Sequence, residues 1–104
     1  MKNAEVIFLS REGGDKSLKV TLKGELTIKN TDEIRAMVLA KIKNFDNVEI
    51  QTEEVNSIDL TFYQFLISMK RLFLKTGKKL LIYLIIPESC EELLKNAGLD
   101  INLN

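Results

Sequence analysis

Asp59 and Thr61 bring a carboxylate and a hydroxyl close together in the stretch Ser57-Ile58-Asp59-Leu60-Thr61-Phe62-Tyr63-Gln64-Phe65-Leu66. Apolar residues around Val48 and Ile50 precede it, and Phe62, Phe65, Leu66, Met69 and Phe73 recur after it at helical spacing. The order is therefore strand, short loop, helix. A helix start leaves backbone N–H groups unpaired and carries the positive end of the dipole, which favours a carboxylate or a phosphorylated hydroxyl there. The chemistry on offer is regulatory: a docking loop, or phosphoryl acceptance at Thr61.

Catalysis lacks its usual parts. The chain has no His, the commonest general base, and its single Cys90 forms neither an internal disulfide nor a zinc cluster. There is no Gly-rich phosphate loop. The expectation is a protein with no catalytic residue, no metal and no cofactor, and not an enzyme. Fifteen basic and fifteen acidic residues cancel, so no summed field collects nucleic acid or steers the chain toward a membrane. The longest apolar run, Leu80 to Ile86, falls far short of the roughly 20 residues of a membrane helix, and no basic segment followed by an apolar one opens the chain. The chain reads as cytoplasmic, without direct membrane insertion.

The elements that must position Asp59 and Thr61 follow from periodicity. With 104 residues, 45% of them apolar, the whole chain 1–104 reads as one domain. Val6 to Leu9 makes a first strand, and the polar stretch Arg11 to Lys16, with its paired glycines Gly13 and Gly14, makes a turn. Leu18, Val20 and Leu22 alternate with Lys19, Thr21 and Lys23 in a second strand. Asn30 stands three residues before Glu33 as a capping box, ahead of the apolar stripe Ile34, Met37, Val38, Ile42 and Phe45. Val48 to Thr52 is a short strand, and the second helix runs from about Thr61 to Lys75 with Gly77 as its cap. Leu80 to Ile86 shows no alternation, as expected of a central strand covered on both faces. Pro87 ends it, and Ser89 with Glu92 caps a last helix closed by Gly98. Strands first, then alternating helix and strand, give an α/β fold with a mixed sheet of four or five strands and helices mainly on one face.

Each candidate residue has a plain structural reading beside the functional one. Asp59 either caps the second helix or shapes a docking loop, and Thr61 either caps it or accepts a phosphoryl group. Phe62 fits the buried stripe, so Tyr63 falls at its edge, packed on its own domain or offered to a partner. Cys90 lacks a basic or His partner and reads as inert. Lys70, Arg71, Lys75, Lys78 and Lys79 either solvate the end of the second helix or face an acidic partner.

The order of these pieces resembles the STAS family, the domain of bacterial anti-sigma factor antagonists and of the cytoplasmic tails of sulfate transporters. Val20-Thr21-Leu22-Lys23-Gly24-Glu25-Leu26 resembles that family's second strand, Thr76-Gly77-Lys78-Lys79-Leu80-Leu81-Ile82 the turn into its fourth, and Leu93 to Leu99 its last helix. The family segment between third strand and second helix reads roughly Asp-Ser-Ser/Thr-Gly-Leu, which sets Leu60 at the acceptor serine and Phe62 at the glycine. The resemblance implies a small non-catalytic regulator that binds a protein such as an anti-sigma serine kinase or another signalling subunit. It implies that Asp59, Leu60, Thr61, Tyr63 and Gln64 form the contact. Leu60 has no hydroxyl, so the usual serine switch is expected to be missing; Thr61 matches the pattern's second hydroxyl, which in most members is not the acceptor, and stands as the one candidate phosphorylation site. The alternative is a non-switching structural subunit of a chemotaxis-associated or membrane-transport complex.

Overall fold

The computed structural model describes residues 1–11 and 16–104. The elements run β1 (Ala4–Arg11), β2 (Ser17–Leu26), α1 (Ile28–Ile42), β3 (Asn47–Ile58), α2 (Leu60–Thr76), β4 (Lys79–Tyr83) and α3 (Glu88–Asn96). The glycine turn expected between Arg11 and Lys16 falls on Glu12, Gly13, Gly14 and Asp15, which lie outside the described residues.

The strands form one four-stranded sheet in the order β1-β2-β3-β4, with β1 antiparallel to β2 and the other two pairings parallel. A mixed sheet with helices on one face is what the pattern of elements predicts, and no fifth strand occurs among the described residues. Leu18, Val20 and Leu22 of β2 and Val48, Ile50 and Thr52 of β3 point inward and are buried. They meet Ile34 and Val38 of α1, Phe62, Phe65, Leu66 and Met69 of α2, and Cys90 and Leu94 of α3 in one apolar cluster. Burying each such aliphatic or aromatic side chain stabilises the fold by roughly 1.5–3 kcal/mol.

Three expectations need correction. Leu80 to Ile86 is not a central strand: β4 lies at the sheet edge, pairs only with β3, and leaves the ladder after Tyr83. Ile82 is buried, but Leu81 and Tyr83 face solvent, because the run is apolar on an open face as well as on the core face. The outer edge of β4 is closed by a side chain: Asn104 accepts the Ile82 N–H at 2.8 Å and donates to the Ile82 carbonyl at 2.9 Å, standing in for a neighbouring strand.

Second, the strand expected at Val48 to Thr52 extends through Ile58. Two exposed glutamates, Glu53 and Glu54, interrupt the alternation, Glu54 takes φ +49°, and the pairing with β2 slips on either side of Gly24. The first slip resets which residues face inward, so Val55 is buried out of period, and the second restores the phase, so Ile58 is buried in step with Val48, Ile50 and Thr52. Gly24 itself has φ +91°, and a Cβ there would run into the Asn3 carbonyl oxygen, which accepts the Glu25 N–H at 2.7 Å.

Third, helix starts shift. The N-cap of α1 is Thr27, not Asn30. Asn30 is buried within the first turn, where its amide donates to the carbonyls of Lys2 and Glu25 at 2.9 Å each, tying the N-terminal segment to the end of β2. At α3 the N-cap position is Pro87 and Ser89 lies inside the helix. Gly77 caps α2 as expected, with φ +69° and its N–H on the Phe73 carbonyl. Among the described residues no helix is long and apolar enough to cross a membrane.

Candidate functional site at the start of α2

β3 delivers the chain directly into α2, with no intervening loop: Ile58 ends the strand and Asp59 is the N-cap, in extended backbone with φ −133° and ψ 177°. The cap of α2 is therefore Asp59 and not Thr61. One Asp59 carboxylate oxygen, Oδ1, accepts the Phe62 N–H at 3.0 Å. The other, Oδ2, accepts the Ile28 N–H at 2.8 Å, at the start of α1. Neither helix has an acidic residue in its first turn, so this single carboxylate meets the positive ends of both. The Asp59 N–H donates to the Leu26 carbonyl at 3.3 Å, which brings the ends of β2 and β3 together beneath the two helix starts.

This junction presents apolar groups to water. Leu60 is 53% exposed and Ile28, at the neighbouring helix start, 67% exposed. Gln64 is exposed one turn further along α2, and Thr61 is half-buried between them. Tyr63 departs from its expected place at the stripe edge. It is only 6% exposed, and its hydroxyl donates to the Asp100 carbonyl at 2.7 Å, so it ties α2 to the segment after α3. Burial, then the nearby Asp100 carboxylate, raise its pKa above the usual tyrosine value of 10.0. Of the five residues read as the contact, the structure thus brings Asp59, Leu60, Thr61 and Gln64 to one surface and sets Tyr63 below it.

Ile28 is the member of this surface that sequence reasoning missed. Its signal was Thr27, a hydroxyl residue directly before the first helical turn, which competes with Asn30 for the cap. The Thr27 hydroxyl is buried without a hydrogen-bond partner among the described residues: Asp59 takes the Ile28 N–H, and the Asn30 and Thr31 N–H groups donate to the Thr27 carbonyl. Cys90 is buried in the core cluster. Among the described residues no group of three or more His, Cys, Asp or Glu side chains is arranged to hold a metal ion. What the arrangement offers is a rigid, partly apolar surface pinned at both helix starts.

No family model and no curated protein sequence matches the chain. Solved structures do resemble it. The anti-sigma factor antagonist SpoIIAA in its unphosphorylated form superposes with a TM-score of 0.62 at 17% identity, over 89% of this chain and 82% of that one. The Bacillus cell fate determinant SpoIIAA in its phosphorylated form gives a TM-score of 0.57 at 17% identity, over 89% and 85%. The chain has a STAS-like fold, the fold of the anti-sigma factor antagonist SpoIIAA.

Proposed function

We propose that this protein is a non-catalytic regulator that works by binding another protein through the start of α2, in the manner of an anti-sigma factor antagonist, and that it lacks the serine phosphorylation switch. The observation that carries this reading is the exposed Leu60 directly after the doubly bonded Asp59 cap. A surface fixed in advance loses little conformational entropy on binding, and apolar side chains at its centre supply most of the affinity. Leu60 and Ile28 are those anchors, Asp59, Thr61 and Gln64 are the polar surround, and Tyr63 holds the helix in place from beneath. A phosphoryl group at this position would oppose an apolar or acidic partner by charge and desolvation. Leu60 cannot carry one, so binding is constitutive unless Thr61 is modified. The partner is an anti-sigma serine kinase or another signalling subunit.

The missing hydroxyl also suits a standing subunit of a chemotaxis-associated or membrane-transport assembly. Affinity capture from the native cell, with the wild-type chain and Leu60→Glu as paired baits, separates the two. A sigma-regulating kinase retained by the wild type and lost with Leu60→Glu supports the regulator. A receptor array or transporter component retained in the same way supports the subunit, and identical retention by both baits removes Leu60 from the contact.

A further inference from the structure

The outer face of the sheet, opposite α1 and α2, is covered by no described element. Its side chains fall into four rows across the strands. Arg11, Ser17, Asn47 and Lys79 form the first, Leu9, Lys19, Glu49 and Leu81 the second, and Ile7, Thr21, Gln51 and Tyr83 the third. Glu5, Lys23 and Glu53 form the fourth, where Glu54 also reaches the Lys23 ammonium at 3.6 Å. Four large apolar side chains stand at the flanks of the two middle rows and are substantially exposed: Leu9 at 64%, Ile7 at 40%, Tyr83 at 42% and Leu81 at 37%. Between Leu9 and Leu81 the face sinks into a hollow of about 410 Å³, floored in part by the Lys19–Glu49 pair. Clustered exposed apolar groups rimmed by charge mark a surface that is covered in use.

The charges say by what. The first row is purely cationic, through Arg11 and Lys79. The fourth is acidic in balance, since Glu5, Glu53 and Glu54 outweigh Lys23, whose pKa is raised first by Glu54 and then by the hydrogen bond to Glu53. The middle rows are neutral. A face that is cationic at one end, anionic at the other and neutral between, with apolar side chains along both flanks, is complementary to itself when turned end for end.

We propose that this face pairs with the same face of a second copy of the chain, about a two-fold axis running between the two sheets at right angles to the strands. That operation sets the cationic row of each copy over the acidic row of the other, Arg11 toward Glu5, and lays Leu9 against Ile7 and Leu81 against Tyr83. An axis along the strands would instead place each charged row over its own copy. Aligned packing of two sheets face to face is a standard arrangement. The helix starts lie on the other side of the sheet, so the pairing leaves Leu60 and Gln64 uncovered and is independent of the function proposed above.

Sedimentation velocity of the full chain from about 1 μM to about 1 mM, the span over which modest homodimers dissociate, tests this. The expected result is a monomer–dimer equilibrium in which Leu81→Glu, and separately Ile7→Lys, raise the dissociation constant at least ~100-fold with the circular dichroism spectrum unchanged, because each places a charge against an apolar side chain across the axis. Arg11→Glu should weaken the dimer roughly tenfold, and Arg11→Glu combined with Glu5→Arg should restore it, because the pair is exchanged across the axis. A strict monomer at every concentration overturns the proposal and leaves the face to a different chain. A dimer that ignores both Leu81→Glu and Ile7→Lys overturns it equally.

Discussion

The Asp59 carboxylate accepts the backbone N–H of Ile28 at 2.8 Å across 31 positions of sequence, while its second oxygen caps α2 at Phe62. One side chain therefore locks two helices to each other at their starts. Each such cap is worth ~1 kcal/mol, so Asp59→Ala should cost about 2 kcal/mol of unfolding free energy in urea titration. Asp59→Asn keeps one acceptor oxygen and replaces the other with a donor, so it should cost about half as much. Equal losses for both substitutions would mean that an amide preserves neither contribution and that the carboxylate's charge is required.

Gly24 makes a sharper demand. Its φ of +91° is one that a side chain strains against, and a Cβ would meet the Asn3 carbonyl. Gly24→Ala is expected to destabilise the protein by roughly 1–3 kcal/mol, read as a lowered thermal midpoint. In a chain lacking residues 1–3, the step from Gly24 to Ala should cost less than in the full chain, since the collision is absent from that background and only the dihedral strain stays. An equal cost in both backgrounds would place the whole effect in the backbone.

Tyr63 gives a pH dependence with a definite sign. Its folded pKa is raised above 10.0, so the protonated phenol is favoured in the folded state; its contribution is complete below about pH 10 and is lost as pH rises through the folded pKa. Tyr63→Phe removes the hydrogen bond to the Asp100 carbonyl and should cost ~1 kcal/mol at neutral pH. The wild-type advantage over Tyr63→Phe should then shrink above pH 10. A constant gap between the two proteins from pH 7 to 11 would show that ionisation of Tyr63 is not coupled to folding.

What was legible in the sequence was what local chemistry decides. Asp59 before an amphipathic run and Gly77 after it marked both ends of α2, because caps act within one turn. The strands and their inward residues followed from alternation until Glu53 and Glu54, where a bulge broke the period that the reading depends on. Leu80 to Ile86 misled for another reason: an edge strand with one buried and one exposed apolar face has the same composition as a central one. Asn30 matched a capping box but answers to Lys2 and Glu25, and Tyr63 answers to Asp100. The Asp59 contact with Ile28, which makes the site a junction of two helices, is likewise a product of distant pairing and leaves no mark on local pattern.

Leu60 predicts behaviour toward an anti-sigma serine kinase. Incubated with such a kinase and ATP, the wild-type protein should remain unmodified, whereas Leu60→Ser should become phosphorylated at residue 60, as mapped by mass spectrometry. Thr61 is half-buried one position further into the helix, about 100° round its axis from residue 60, and so occupies a different place from a residue-60 acceptor. Efficient modification of Thr61 in the wild type would restore a switch displaced by one residue.

Binding at the start of α2 is tested most directly by titration calorimetry with the captured partner, comparing Leu60→Glu with Leu74→Glu. Both replace an exposed leucine on α2, Leu74 being 77% exposed near the far end of the helix, so both are expected to fold normally. Leu60→Glu should weaken binding at least tenfold, the loss of a central apolar anchor, with Leu74→Glu indistinguishable from wild type. Unchanged affinity for Leu60→Glu, or an equal loss for Leu74→Glu, would contradict a binding surface at Asp59 to Gln64.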